Sequence, residues 1–291
     1  MLVKSKNVRG AFFMSVSMAA YVLNDAIIKI VGPEIGLAQS IFVRGIYCSI
    51  FLGLIFSITV RDFEECKSGI GGVLGRAFFE LLASILFLTA LLNMPFANVN
   101  AILQVVPLTV TIAASLLLKE KFGKKRALAI ILGLVGVLLI VKPGTGGFNI
   151  YSIFAIGAVL SVTSRDILTR KISQLIPATF ISFVTSLVIT SATGFYLMIN
   201  SVWQPLDVTT LVQLAFSGAF LTTGYFFSVE AMRYGSVSFV SSFRYTLILW
   251  ALLLGFLLFD DVPDYLSLLG IFLIIATGLF TLYREAIRKR D

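Results

Sequence analysis

A chain of 291 residues with 58% hydrophobic and only 13% charged residues has a mean hydropathy of +0.99. Water-soluble domains carry about 45–50% apolar and about 25% charged residues, so this composition describes an integral membrane protein. The +8 net charge does not argue for a nucleic-acid partner, because the basic residues sit at the edges of apolar runs, where membrane topology accounts for them.

Charges and turn residues divide the chain into ten apolar segments, near the length of ~20 residues that a spanning helix needs. In order they are Gly10–Val31, Ile35–Val60, Val73–Leu92, Ala97–Leu118, Ala127–Val141, Tyr151–Arg170, Ala178–Ile199, Leu211–Ala231, Val237–Phe259 and Tyr265–Tyr283. Lys4, Lys6 and Arg9 ahead of the first run imitate a signal peptide. That run outlasts the usual signal core and carries Asp25, so it reads as a retained first span. With the N-terminus inside, eighteen Lys and Arg residues fall on the cytoplasmic side and Lys142 alone on the other. Both termini are therefore expected in the cytoplasm.

An acid, an amide and a base interrupt the first span as Asn24-Asp25 and Lys29, and the arrangement returns as Arg165-Asp166 and Arg170, 141 residues later. The same offset carries Phe42 to Phe183, Phe79 to Phe220, Ala90 to Ala231 and Glu120 to Asp261. The fold class expected is all-α, with ten transmembrane helices as two inverted five-helix repeats. Residues 1–142 and 151–291 form the halves, and 143–150 join them. Five spans are an odd number, so the second copy enters the membrane upside down, a transporter signature. The glycine-bearing stretch after Lys142 lacks the closing Gly-Lys-Ser/Thr of a phosphate loop and reads as a linker.

Charge within a span costs roughly 2.5–3.5 kcal/mol on insertion scales and calls for a partner or a task. Asp25–Lys29, Asp166–Arg170 and Arg76–Glu80 are spaced i, i+4 and are expected to pair along their own helices. Arg44, Arg165 and Arg244 then lack an acidic neighbour at that spacing, and guanidinium forks suit carboxylate or phosphate. Ligand contact and structural pairing both remain open for Arg44 and Arg244, and the adjacent Asp166 favours structure for Arg165. Asn100, Gln104, Pro107 and Thr111 share a face of the fourth span, and Ser241 and Tyr245 are the repeat partners of Asn100 and Gln104. Glu80, Ser84 and Phe87 share a face of the third. Such residues either line a polar cavity or join helices by hydrogen bonds. Trp250, deep in the ninth span, either stacks on a planar substrate or meets lipid. Histidine is absent, so proton coupling falls to Asp25 first, then Glu80, Asp166 or Glu230. Cys48 and Cys66 have neither metal-type spacing nor a disulfide framework, and no metal or other cofactor is expected.

The pattern resembles the drug/metabolite transporter superfamily, and its EamA family in particular. The resemblance rests on Asn24-Asp25 with Lys29, Phe42-Val43-Arg44-Gly45, Pro107 with Leu118-Lys119-Glu120, and the glycine-bearing helix at Gly133 and Gly136. In the second half it rests on Arg244-Tyr245, Phe259-Asp260-Asp261 and Ala276-Thr277-Gly278. One departure is Ile248, where the repeat would place a second proline, so the ninth helix is expected to lack its partner's bend. The resemblance implies a central cavity worked by alternating access, with Asp25, Asn100, Gln104, Arg244 and Tyr245 facing it. It also implies substrates among amino acids, organic acids, nucleotide-derived metabolites or vitamins, often moved outward in bacteria.

The reading is a secondary transporter in the bacterial inner membrane for a small anionic or zwitterionic metabolite. Its substrate-binding candidates are Asp25, Arg44, Asn100, Gln104, Ser241, Arg244, Tyr245 and Trp250. The partners expected are the substrate, the bilayer and protons, with no nucleic acid. The alternative is uptake of a nucleotide-derived or flavin-like compound. An enzyme is not expected, for want of a nucleophile paired with a base or of a metal cluster.

Overall fold

The computed structural model describes residues 2–59, 69–118, 124–141, 149–173, 175–200, 203–234, 240 and 242–288. Ser241, Glu120, Lys142 and residues 143–148 of the expected linker lie outside the described residues. Every regular element within them is helical: α1 (Leu2–Ile35), α2 (Leu37–Thr59), α3 (Ile70–Asn93), α4 (Phe96–Leu103), α5 (Val106–Leu118), α6 (Lys124–Val141), α7 (Ile150–Lys171), α8 (Ala178–Asn200), α9 (Val208–Tyr234), a 3-10 turn (Ser242–Tyr245), α10 (Thr246–Phe259) and α11 (Tyr265–Arg288). Six apolar helices are long enough to cross a bilayer, within α1, α2, α3, α7, α8 and α9. Four shorter apolar stretches, Phe96–Val110, Ile131–Ile140, Phe243–Phe259 and Tyr265–Thr277, complete the set. The chain is a multi-pass membrane protein, and large apolar side chains such as Ile58, Leu116, Met198 and Phe272 stand exposed around it. In water such a surface would invite association, and in a bilayer it matches the solvent.

Two expected spans are not continuous. Ala97–Leu118 is interrupted at Gln104 and Val105, whose amides reach back three residues, to Ala101 and Ile102. Pro107 is the cause, since it has no N–H for the Leu103 carbonyl and its ring crowds that oxygen. The ninth span was expected to be straight without a proline, yet it too begins irregularly, as the 3-10 turn over Ser242–Tyr245. There the Thr246 hydroxyl donates to the Phe243 carbonyl at 2.7 Å, supporting a three-residue turn by side-chain back-bonding. The two irregularities overlap under the repeat offset, which carries Gln104 onto Tyr245.

Local signals close the other ends. Gly36, at φ +82°, lets the chain turn out of α1 and straight into α2. Asn149 caps α7 by accepting from the amides of Tyr151 and Ser152. Asp261 Oδ2 accepts from the Phe96 amide at 2.6 Å, so a carboxylate after α10 caps the start of α4.

Helices α1 and α9 pack along each other, as do α3 and α7, α2 and α8, α6 and α11, and α4 and α10. Phe42 of α2 lies over Gly194 of α8, and Phe183 of α8 lies over Gly53 of α2. The α6–α11 seam is closer still: a β-carbon on Gly136 would stand 2.7 Å from the Gly270 carbonyl oxygen, and one on Gly270 2.5 Å from that of Gly136. Small residues allow this backbone approach. Gly136→Ile is therefore expected to destabilise the detergent-solubilised protein by about 1–3 kcal/mol, the range for overpacking, read as a lower melting temperature. Gly71→Ala, whose added methyl meets nothing, is the matched control and leaves melting unchanged or slightly raised.

Candidate functional site

Where α1, α2, α3, α7, α9 and the two irregular turns converge there is a cavity of about 110 Å³. One water molecule needs only ~10–15 Å³, so the space admits a small solute. Tyr21, Asn24 and Asp25 face it from α1, Arg44 from α2, Glu80, Ser84 and Phe87 from α3, and Gln104 from the α4–α5 break. Arg165, Tyr225 and Arg244 close it from α7, α9 and the 3-10 turn.

Most of the buried charge is joined in one ladder. Glu80 accepts two hydrogen bonds from Arg165 Nη1, at 2.9 and 3.1 Å, and lies 3.5 Å from Arg76. Arg165 turns its Nε and Nη2 to Asp166 Oδ1, at 3.0 and 2.8 Å. The other Asp166 oxygen stands 2.8 Å from Arg244 Nη2, an ion pair in which neither atom has hydrogen-bond geometry. Arg76 is held from behind by Thr169 and Thr185. In a low-dielectric interior each charge needs such compensation, and three arginines share two carboxylates here.

The opposite wall is built on an amide. Asn24 Nδ2 donates to Asp25 Oδ1 at 2.9 Å, while its Oδ1 accepts from Arg44 Nη1 at 3.0 Å and from Ser217 at 2.8 Å. Gly218 makes the last contact feasible, because a β-carbon there would collide with Tyr47 and crowd the α2 backbone. Arg44 is 3% exposed, its Nε has no hydrogen-bond partner, and among the described residues it forms no ion pair. Tyr21 and Tyr225 meet edge to face with ring centres 6.1 Å apart, and Phe87 adds a third aromatic ring to the lining of the same cavity.

The EamA-like transporter family model matches this chain twice, over residues 8–142 and 149–283. The chain belongs to the EamA-like transporter family. Among curated relatives of this EamA-like protein, the riboflavin transporter of Vibrio cholerae is 25% identical, over 100% of this chain and 98% of that one. The S-adenosylmethionine uptake transporter of Rickettsia prowazekii is 24% identical, over 95% and 93%. The pseudopaline exporter CntI of Pseudomonas aeruginosa is 22% identical, over 86% and 88%. A solved crystal structure of a protein at 15% identity superposes with a TM-score of 0.62, over 95% of this chain and 96% of that one, and shows the fold alone.

Of the residues singled out from the sequence of this EamA-like transporter, Asp25, Arg44, Gln104, Arg244 and Glu80 meet at the cavity. Asn100 and Tyr245 are buried beside it without lining it, each with an oxygen that lacks a hydrogen-bond partner. Trp250 is 44% exposed on α10 and takes no part in the cavity. Ser241 lies outside the described residues. Two of the expected intrahelical pairs are replaced. Lys29 gives its Nζ to the Leu91 and Met94 carbonyls at the end of α3, at 2.9 and 2.6 Å, where a cation suits the helix dipole. Asp166 is taken by Arg165 and Arg244, and Arg170 is exposed. Arg76–Glu80 forms as expected. Sequence reading passed over Tyr21 and Ser217 as site residues, and Asn24 and Tyr225 were left out of the binding set. The doubled Asn24-Asp25 and Arg165-Asp166 dipeptide was the available signal for Asn24.

Glu80 is the member of the ladder that joins α3 to α7. Glu80→Gln leaves Arg76 without its carboxylate and Arg165 with Asp166 alone, and breaking a buried pair from one side costs about 3–5 kcal/mol. A double-mutant cycle of Glu80→Gln with Arg165→Gln, read by thermal or denaturant unfolding in detergent, is expected to show strong coupling.

Proposed function

We propose that this chain is an alternating-access secondary transporter of the bacterial inner membrane, moving a small anionic or zwitterionic metabolite. The observation that carries the substrate reading is the charge around the cavity. Among the described residues the buried Arg44, Arg76, Arg165 and Arg244 stand against the buried Asp25, Glu80 and Asp166, a surplus of one guanidinium. A substrate carboxylate supplies the missing anion. Arg44 and Arg244 carry donors without hydrogen-bond acceptors at the cavity, and Gln104 presents an unpartnered oxygen there. The buried Asn100 and Tyr245 stand behind them as polar support, and Ser241 joins the binding set by its repeat relation to Asn100.

The architecture proposed is ten spans in two inverted halves, residues 1–142 and 151–291, joined through 143–150, with both termini cytoplasmic. Several observations support it. The two family matches begin 141 residues apart, the spacing of the sequence repeat. Phe42 on Gly194 and Phe183 on Gly53 are the same contact made twice under that offset. The Ser186 hydroxyl donates to the Gly45 carbonyl, so a residue touches its own repeat partner. The irregular turns at 104–105 and 242–245, which share the repeat pair Gln104 and Tyr245, are discontinuous helices of the kind on which transporter sites are commonly built.

Glu80 and Asp166 are held by arginines and Glu230 does not line the cavity, so Asp25 is the carboxylate at the cavity available for proton coupling. In proteoliposomes with an imposed pH gradient, wild-type uptake of a carboxylate-bearing substrate is expected to follow the gradient. Asp25→Asn is expected to abolish that dependence while counterflow exchange persists. Gradient-driven uptake that survives the substitution contradicts the coupling role.

A second reading is favoured by the Tyr21, Tyr225 and Phe87 rings that line the cavity and by the printed functions of the riboflavin and S-adenosylmethionine relatives. In it the substrate is a flavin-like or nucleotide-derived compound taken up from outside. A thermal-shift screen against amino acids, dicarboxylates, nucleotides and flavins separates the two, because a ligand that binds the native state raises its apparent stability. Stabilisation by carboxylates that is lost in Arg44→Gln supports the first reading. Stabilisation by flavins or nucleosides alone supports the second.

A further inference from the structure

Asp25 and Arg44 face one cavity and stand near enough for Asn24 to hydrogen-bond both, yet they do not form an ion pair. The amide lies between them, giving its N–H to the acid and taking an N–H from the base. Ser217 of α9, held close by the glycine contact at Gly218, fixes the amide carbonyl from the other side. An acid and a base already buried in a low-dielectric interior ordinarily close on each other, because apart each is left as an uncompensated charge. Here a neutral spacer holds them apart, and Arg44 is left with an unpartnered Nε although it is 3% exposed. The far wall of the same cavity shows the contrast, since Arg165 and Asp166 are adjacent in sequence and pair directly at 2.8 Å.

We propose that Asp25 and Arg44, separated by Asn24, form a clamp for the zwitterionic head of an α-amino acid. Arg44 receives the carboxylate, Asp25 receives the ammonium group, and an aromatic or other planar side chain lies against Tyr21, Tyr225 and Phe87. This deepens the transport reading of the same cavity and rests on it. A fixed acid and base, each with unmet capacity, select a ligand carrying both opposite charges on neighbouring atoms. A simple carboxylate satisfies Arg44 and leaves Asp25 without its cation, and a simple amine does the reverse. Discrimination of this kind is strong because the analogue leaves a buried polar group unpaired. Arg244, already beside Asp166, plays no part in holding the head.

The test compares matched ligands on the full-length protein in detergent, by thermal shift and by isothermal titration. The L-amino acids and S-adenosylmethionine are screened first, together with riboflavin and adenosine. L-Phenylalanine is then set against 3-phenylpropionate and 2-phenylethylamine, and any tighter amino acid against its own deaminated and decarboxylated analogues. The expected result is that removing either head group weakens binding by about tenfold or more, as loss of a charge-assisted hydrogen bond does. Asp25→Asn is expected to narrow the gap between the amino acid and the deaminated acid. Arg44→Gln is expected to narrow the gap between the amino acid and the amine, a swap that mere loss of packing does not produce. Equal binding of phenylalanine and phenylpropionate by the wild-type chain overturns the clamp and leaves transport of anions standing. Binding of riboflavin or adenosine with no response to any amino acid overturns the clamp and gives the cavity to the second reading. Loss of function in either variant leaves the wild-type ligand comparison decisive.

Discussion

Glu80 between two guanidiniums is the interaction on which the rest of this membrane interior depends. Four arginines are buried near the cavity, and in hydrocarbon each needs a counter-charge or a dense set of acceptors. Glu80 meets that need for Arg165 and Arg76 together, and Asp166 meets it for Arg165 and Arg244. Because the members come from α3, α7 and the turn before α10, the ladder also sets where those elements stand. The cavity lies between this ladder and the Asn24 wall, and Arg44 is the guanidinium that the ladder does not reach.

The two walls occupy equivalent places in the sequence repeat and are not equivalent chemically. Asn24, Asp25, Arg44 and Ser217 correspond under the 141-residue offset to Arg165, Asp166, Thr185 and Arg76. In each group a hydroxyl, a carboxylate and an arginine lie on corresponding or exchanged elements, with the arginine on α2 in one and on α3 in the other. The amide Asn24 stands where the other wall has Arg165. That exchange, together with the swap of arginine and hydroxyl between elements, leaves an acid and a base held apart where the other wall has a direct ion pair. On the proposed clamp, one wall is structural and the other receives the ligand.

Much of this was legible in the sequence. Apolar runs located the helices, and the repeated dipeptide marked both walls of the cavity. Pro107 announced the break before α5, since the missing N–H is a property of the residue itself. Spacing along a helix was a poorer guide to charge pairing, because it sees partners on one element only. It found Arg76–Glu80 and missed the pairing of Asp166 with Arg244, which comes from a turn 78 residues away. Lys29 likewise found the open carbonyls at the end of α3, which no local pattern reveals. The turn at Ser242–Tyr245 needed no proline, so nothing in its residues announced it. Trp250 was drawn in by its depth in an apolar run, and depth along a helix does not say which way a side chain faces.

The most direct test of this account is a structure of the protein with 4-bromo-L-phenylalanine bound, located by the anomalous signal of bromine. The account places the amino-acid head between Arg44 and Asp25 and the bromine against Tyr21, Tyr225 and Phe87. A head group seated on Arg244 or Arg165, with Glu80 or Asp166 displaced to receive it, would contradict the division of the cavity into a structural wall and a binding wall.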